Sequence, residues 1–146
     1  PLITFFLPKY AELTGDGEKQ ALLIKTVGIS MVIVGTTGAL IFVMWHMVAK
    51  LIIGDQFSAL QPTFGIQVIG DVFKILCWVL ITAALGDNKL KLVLFVEVIF
   101  AIFYCGLMYY VFPALGLNAA VATYSAAYLI VAIFLILYYF KKFNEK

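Results

Sequence analysis

The stretch Pro62–Gly86, PTFGIQVIGDVFKILCWVLITAALG, decides the fold. It is long and apolar enough to cross a bilayer, because a spanning helix needs about 20 mostly apolar residues. It nevertheless carries Gln67, Asp71 and Lys74. Residues three and four positions apart share one face of a helix, so these side chains form one polar stripe. Since an ionised side chain is costly against lipid, we expect the stripe to face other helices or a watery cavity.

The composition places the whole chain in the membrane class. Of its 146 residues, 64% are hydrophobic and 12% are charged, whereas soluble domains have about 25% charged residues. A net charge of +2 is too small to indicate binding to nucleic acid. Cys77 and Cys105 lie in apolar runs, which favours packing over a disulfide or metal pair. With the single His46, no multi-histidine metal site is possible, and we expect no cofactor.

The apolar runs predict an all-α polytopic membrane protein with four transmembrane helices plus the end of a preceding one. We expect these helices at about residues 19–48, 64–85, 90–112 and 117–140. The segment Lys50–Thr63 mixes apolar and polar residues, so it is expected to lie on the membrane surface. The first residue is Pro rather than Met, and Leu2–Leu7 reads as the tail of an earlier helix. We therefore expect the chain to be the C-terminal piece of a longer protein.

The lysines predict the orientation of the helices. One side of the membrane would hold most of them: Lys9, Lys19, Lys25, Lys89, Lys91, Lys141, Lys142 and Lys146. Only Lys50 falls on the other side, and Lys74 lies within the membrane. Because lysines of short loops stay cytoplasmic, we expect the C-terminus and the turn at Asp87 to be cytoplasmic.

The ionisable residues within the spans leave two interpretations open. Asp71 and Lys74 either neutralise each other and hold their helix against its neighbours, or line a polar path for an ion, a proton or an anionic substrate. The second interpretation is the default for such residues in membrane helices. Glu97 has no partner on its own helix, which suits either proton coupling or a structural hydrogen bond. The tyrosines, Tyr124 among them, are expected to be mostly packing residues.

Four segments follow one another along the chain in the order of a known family. They are FLPKYAEL at Phe6–Leu13, QVIGDVFKIL at Gln67–Leu76, LFVEV at Leu94–Val98 and GLNAAVATYSAAYLI at Gly116–Ile130. They resemble, in turn, the junction after the eighth helix and the tenth, eleventh and twelfth helices of bacterial O-antigen and lipid-linked oligosaccharide flippases. These transporters belong to the multidrug/oligosaccharidyl-lipid/polysaccharide exporter superfamily.

The resemblance covers the whole chain and implies the last third of a twelve-helix transporter. Such a protein is not an enzyme; it carries an undecaprenyl-pyrophosphate-linked oligosaccharide across the bacterial inner membrane by alternating access. Lys74 and Gln67 would contact the substrate, and Asp71 and Glu97 would take part in coupling. The implied partners are the lipid-linked oligosaccharide, membrane lipid and the N-terminal helices of the same polypeptide.

Three other functions remain open. A cation-coupled drug exporter of the same superfamily would need a carboxylate-lined cavity, and Lys74 argues against it. A complete small four-helix membrane protein aiding sugar-lipid translocation would need a start Met near Pro1. A membrane-embedded sugar-transfer enzyme would need an acidic or metal cluster in a loop, where the sequence has only scattered carboxylates such as Asp55 and Asp87.

Overall fold

The computed structural model describes residues 2–52 and 61–144, and these residues form five helices. In chain order they are α1 (Leu2–Glu12), α2 (Asp16–Ile52), α3 (Gln61–Gly86), α4 (Leu90–Leu115) and α5 (Leu117–Asn144). No β-strand occurs in these two ranges. The prediction of an all-α chain is confirmed.

Four of the helices are long and apolar enough to cross a membrane. These spans are Asp16–Trp45, Thr63–Gly86, Leu90–Leu115 and Asn118–Asn144, with hydropathies of 2.2, 2.1, 2.3 and 2.3. An amphipathic helix of a soluble protein has one wide polar face, whereas these helices are predominantly apolar and carry at most a narrow polar stripe. The chain is therefore a multi-pass membrane protein, as the apolar runs predicted.

The helix ends differ from the predicted bounds in two informative ways. Helix α2 begins at Asp16 rather than at residue 19. The carboxylates of Asp16 and Glu18 in its first turn stabilise this start, because they lie at the positive end of the helix dipole. Helix α4 continues through Pro113, so the expected connection 113–118 shrinks to Gly116. This glycine adopts a φ of 54°, and its N–H bonds Phe112 O over 2.8 Å, which ends the helix.

The predicted surface-lying segment falls mostly outside the described residues. Residues 50–52 continue α2 and residues 61–63 begin α3. The amphipathic character expected of residues 53–60, and the side of the membrane expected for Lys50, therefore stay predictions.

Helix α3 is the centre of the bundle. It packs most extensively against α5, and also contacts α2, α1 and α4. In the most apolar 18-residue stretch of each span, 39% of the residues are buried for α3, against 6% for α2 and for α4. One buried cluster joins the helices, and its largest fully buried side chains are Tyr10 of α1, Cys77 of α3, Val96 of α4 and Leu135 of α5. The helix that carries the polar stripe is thus the one that the other helices surround.

Candidate functional site

The polar residues of α3 meet a tyrosine of α5. Gln67 Nε2 donates a hydrogen bond to Asp71 Oδ1 over 3.2 Å, and the Tyr124 hydroxyl donates to the same oxygen over 2.7 Å. The one-turn spacing on α3 brings Gln67 and Asp71 together, as the helical period requires. Sequence reasoning missed Tyr124, because nothing in the tyrosine pattern distinguishes it from packing aromatics.

Lys74 is held by aromatic rings and not by a carboxylate. Its Nζ lies 5.5 Å from the centroid of the Trp78 ring and 5.7 Å from that of Tyr124. Both distances are within the range of a cation–π attraction. In the described part of the chain Lys74 forms no ion pair with Asp71. Tyr124 therefore links the two charges, through its hydroxyl to the carboxylate and through its ring to the ammonium group.

A cavity of about 440 Å³ lies between α2 and α3, and Asp71 is part of its wall. The remaining lining is apolar or uncharged: Ile33, Val34, Thr37, Gly38, Ile41, Phe64 and Val68. Asp71 thus contacts α5 through its hydrogen bond and borders open space toward α2. An ionisable group in this position is accessible to a small solute or ion that enters the cavity.

A second, smaller cavity of about 200 Å³ adjoins the first turns of α3. Gln67 lines it together with Thr63 and Val121, and the Trp45 and Phe64 rings stack there with centroids 4.5 Å apart. Gln67 consequently lines the smaller cavity, and it donates a hydrogen bond to Asp71, which lines the larger cavity.

Glu97 is not part of this group. It lies exposed on α4, and within the described ranges it forms no hydrogen bond or ion pair. The structure therefore brings together Gln67, Asp71 and Lys74, but leaves the fourth predicted residue on another surface. Its coupling role stays a prediction.

A second charged cluster, which sequence reasoning missed, forms around Asp87 in the turn between α3 and α4. Asp87 Oδ1 accepts a hydrogen bond from Lys19 Nζ of α2 over 2.9 Å, and Oδ2 accepts one from Lys142 Nζ of α5. The Tyr10 hydroxyl of α1 lies 3.4 Å from Oδ2. Only 8% of the Asp87 side chain is exposed. This carboxylate ties four parts of the chain together at one end of the bundle.

The lysines set the charge state of Asp87. Burial alone would raise the pKa of its carboxyl group, but the hydrogen bonds and positive charges of Lys142 and Lys19 outweigh burial and lower the pKa below the ordinary 3.8. The distribution of lysines predicted that Lys19, Asp87 and Lys142 lie on the same side of the membrane. The contacts place all three at one end of the bundle, and the cytoplasmic location of this end stays a prediction.

No protein-family model, curated protein or solved structure matches this chain. Indications of function therefore lie in the side chains of the chain itself, above all in the group formed by Gln67, Asp71, Lys74 and Tyr124.

Proposed function

We propose that this chain belongs to a transporter that moves an undecaprenyl-pyrophosphate-linked oligosaccharide across the bacterial inner membrane by alternating access. One observation carries the proposal: Asp71 and Lys74 lie inside a spanning helix, and Asp71 opens on a cavity between α2 and α3. Charged residues inside spans are costly unless a polar path or a partner accepts them. The resemblance of the four segments to lipid-linked oligosaccharide flippases supports this substrate class.

Each polar residue receives a role from its contacts. The Lys74 ammonium group is neutralised by no carboxylate in the described ranges and is held by two ring faces, so it can bind a pyrophosphate or an acidic sugar. Gln67, at the smaller cavity, offers its amide to sugar hydroxyls. Asp71 exchanges a coupling proton or cation with the larger cavity. Glu97 is proposed as a second coupling group, remote from this site.

The surroundings of the bundle belong to the same proposal. Exposed apolar side chains of α2 and α4 would contact membrane lipid and further N-terminal helices of the same polypeptide. The Asp87 cluster and the C-terminus would face the cytoplasm, because most of the lysines lie at that end. The activity needs no bond-breaking chemistry and no nucleic acid.

The experiment replaces Lys74 in the full-length protein and measures surface polysaccharide. Lys74→Ala should insert into the membrane at the normal level and reduce the polysaccharide, whereas Lys74→Arg should retain part of it because the charge remains. Lys91→Ala is the matched control, since Lys91 is an exposed lysine in the first turn of the α4 span. Normal polysaccharide with a normally inserted Lys74→Ala protein would rule out a substrate contact at this residue.

A second experiment tests the size of the intact protein. An antibody against the C-terminal residues 141–146, used on blots of native membranes, should detect a polypeptide much larger than 16.2 kDa. A band near that mass would overturn the twelve-helix proposal and favour a small four-helix membrane protein.

One observation favours a second candidate, a cation-coupled drug exporter of the same superfamily. The charged residue that lines the larger cavity is Asp71, not Lys74, and a carboxylate attracts a cationic substrate. The two candidate functions predict different losses of activity in the Asp71 and Lys74 variants. Drug resistance that falls in Asp71→Asn while polysaccharide is normal in Lys74→Ala would select the drug exporter.

A further inference from the structure

Helix α4 presents a large apolar face that no described helix covers. Only Val96 of this helix is buried. The uncovered side chains include Leu94, Phe95, Val98 and Ile102, which are 53–66% exposed. Glu97 lies among them and is itself exposed. An ionisable carboxyl group thus stands in the middle of an apolar, membrane-spanning surface.

Two small residues lie on the same face of α4 as Glu97. Ala101 and Cys105 follow at intervals of four residues, so the three side chains share one face. Both small residues are exposed, and a side chain added at the neighbouring Gly106 would meet nothing within 4 Å. Small side chains let a second helix approach closely in a membrane.

The charge of Glu97 is not compensated by the residues around it. In the described ranges no lysine pairs with it. An ionised carboxyl group facing lipid is costly, and a lysine or arginine from outside the described bundle would remove this cost at Glu97.

We propose that the face formed by Glu97, Ala101 and Cys105 docks a further membrane-spanning helix that carries a lysine or arginine at the depth of Glu97. The small residues allow the close approach, and the carboxylate fixes the depth and rotation of the incoming helix. A second copy joined symmetrically through α4 does not meet this requirement, because it would bring one Glu97 toward another. The inference goes beyond the proposed transport, since it concerns assembly and holds for any activity of the protein.

The test measures the midpoint temperature of thermal unfolding for the full-length protein in nanodiscs cut directly from its native membrane. Glu97→Leu and Glu97→Gln should each lower the midpoint by several degrees, because both leave the incoming cation unpaired. Ala101→Leu should lower it as well, because a larger side chain separates two closely packed helices. Glu12→Leu is the matched control, since Glu12 is an exposed carboxylate outside the four spans, and it should change the midpoint little.

Each alternative occupant predicts a different result. If lipid covers the face, Glu97→Leu and Ala101→Leu leave the midpoint unchanged or raised. If the incoming helix offers an uncharged donor, Glu97→Gln behaves as wild type. If a second copy covers the face, mild oxidation of the membranes gives a disulfide-linked dimer that Cys105→Ala abolishes, since Cys77 is buried and Cys105 is exposed. Any of these three results overturns the proposal.

Discussion

Tyr124 of α5 joins the two oppositely charged residues of α3. Its hydroxyl donates to Asp71 Oδ1 over 2.7 Å, and its ring centroid lies 5.7 Å from Lys74 Nζ. One aromatic side chain thereby stabilises a carboxylate and an ammonium group that do not pair with each other directly. This arrangement explains how α3 carries both charges within a span and still presents Asp71 to a cavity.

The Tyr124 hydroxyl should therefore contribute to stability. We expect Tyr124→Phe to lower the free energy of unfolding by about 1–3 kcal/mol, because Asp71 loses its shorter hydrogen bond and keeps only the bond from Gln67. Denaturant titration in micelles, followed by helical circular dichroism, measures the change. Tyr109→Phe is the control, since the Tyr109 side chain is 77% exposed. Equal losses in the two variants would contradict a specific role for Tyr124.

The sequence predicted the spans well because their signal is local. Long apolar runs define α2 to α5, and the spacing of Gln67, Asp71 and Lys74 fixes their common face without any tertiary information. Pro113 misled the prediction of the end of α4, because the helix continues past it to Leu115. Proline removes one backbone hydrogen bond but does not by itself end a helix whose apolar sequence continues.

The contacts that complete the two charged groups were not predictable in the same way. Tyr124 meets Asp71 across 53 residues of sequence, and Lys19 meets Asp87 across 68. Neither pair produces a periodic pattern in the sequence. The way the helices cross decides which tyrosine or lysine lies next to each carboxylate. The lysine distribution indicated only that Lys19, Asp87 and Lys142 share one end of the bundle.

Asp87 should be the most important polar residue at that end. We expect Asp87→Asn to lower the free energy of unfolding by about 1–3 kcal/mol, because Lys19 and Lys142 lose their common carboxylate and are left as two neighbouring positive charges. The same titration in micelles measures the loss. Glu18→Gln is an informative comparison, because Glu18 is an exposed carboxylate in the first turn of the same helix α2. A larger loss in Glu18→Gln would contradict the central position assigned to Asp87.

The contribution of Asp87 should also depend on pH, with a defined sign. Its folded-state pKa lies below the ordinary 3.8, so the carboxylate stabilises the fold above the unfolded-state pKa. That stability is lost as the pH falls through the folded-state pKa. We expect the difference in unfolding free energy between wild type and Asp87→Asn to be constant near neutral pH and to shrink below about pH 4. A difference that grows on acidification would contradict the lysine contacts.

Close packing between α3 and α5 predicts an unusual sensitivity at Gly70. A Cβ atom there would lie 2.5 Å from Ser125 Oγ and 2.7 Å from a ring carbon of Tyr124, closer than atoms tolerate. Gly70→Ala should therefore destabilise the fold by about 1–3 kcal/mol, although alanine is the better helix former. Gly28→Ala should have the opposite effect on the free energy of unfolding, because a Cβ atom there meets nothing within 4 Å. It should be neutral or stabilise the fold by up to about 1 kcal/mol.

The Gly70 variant should also act on the polar group through Tyr124. A Cβ at residue 70 displaces the ring whose hydroxyl bonds Asp71, so Gly70→Ala and Tyr124→Phe remove part of the same interaction. In a double-mutant cycle we expect the combined loss to be smaller than the sum of the single losses by at least about 0.5 kcal/mol. Strict additivity would mean that the helix contact and the hydrogen bond are independent, and the α3–α5 packing would then not position Asp71.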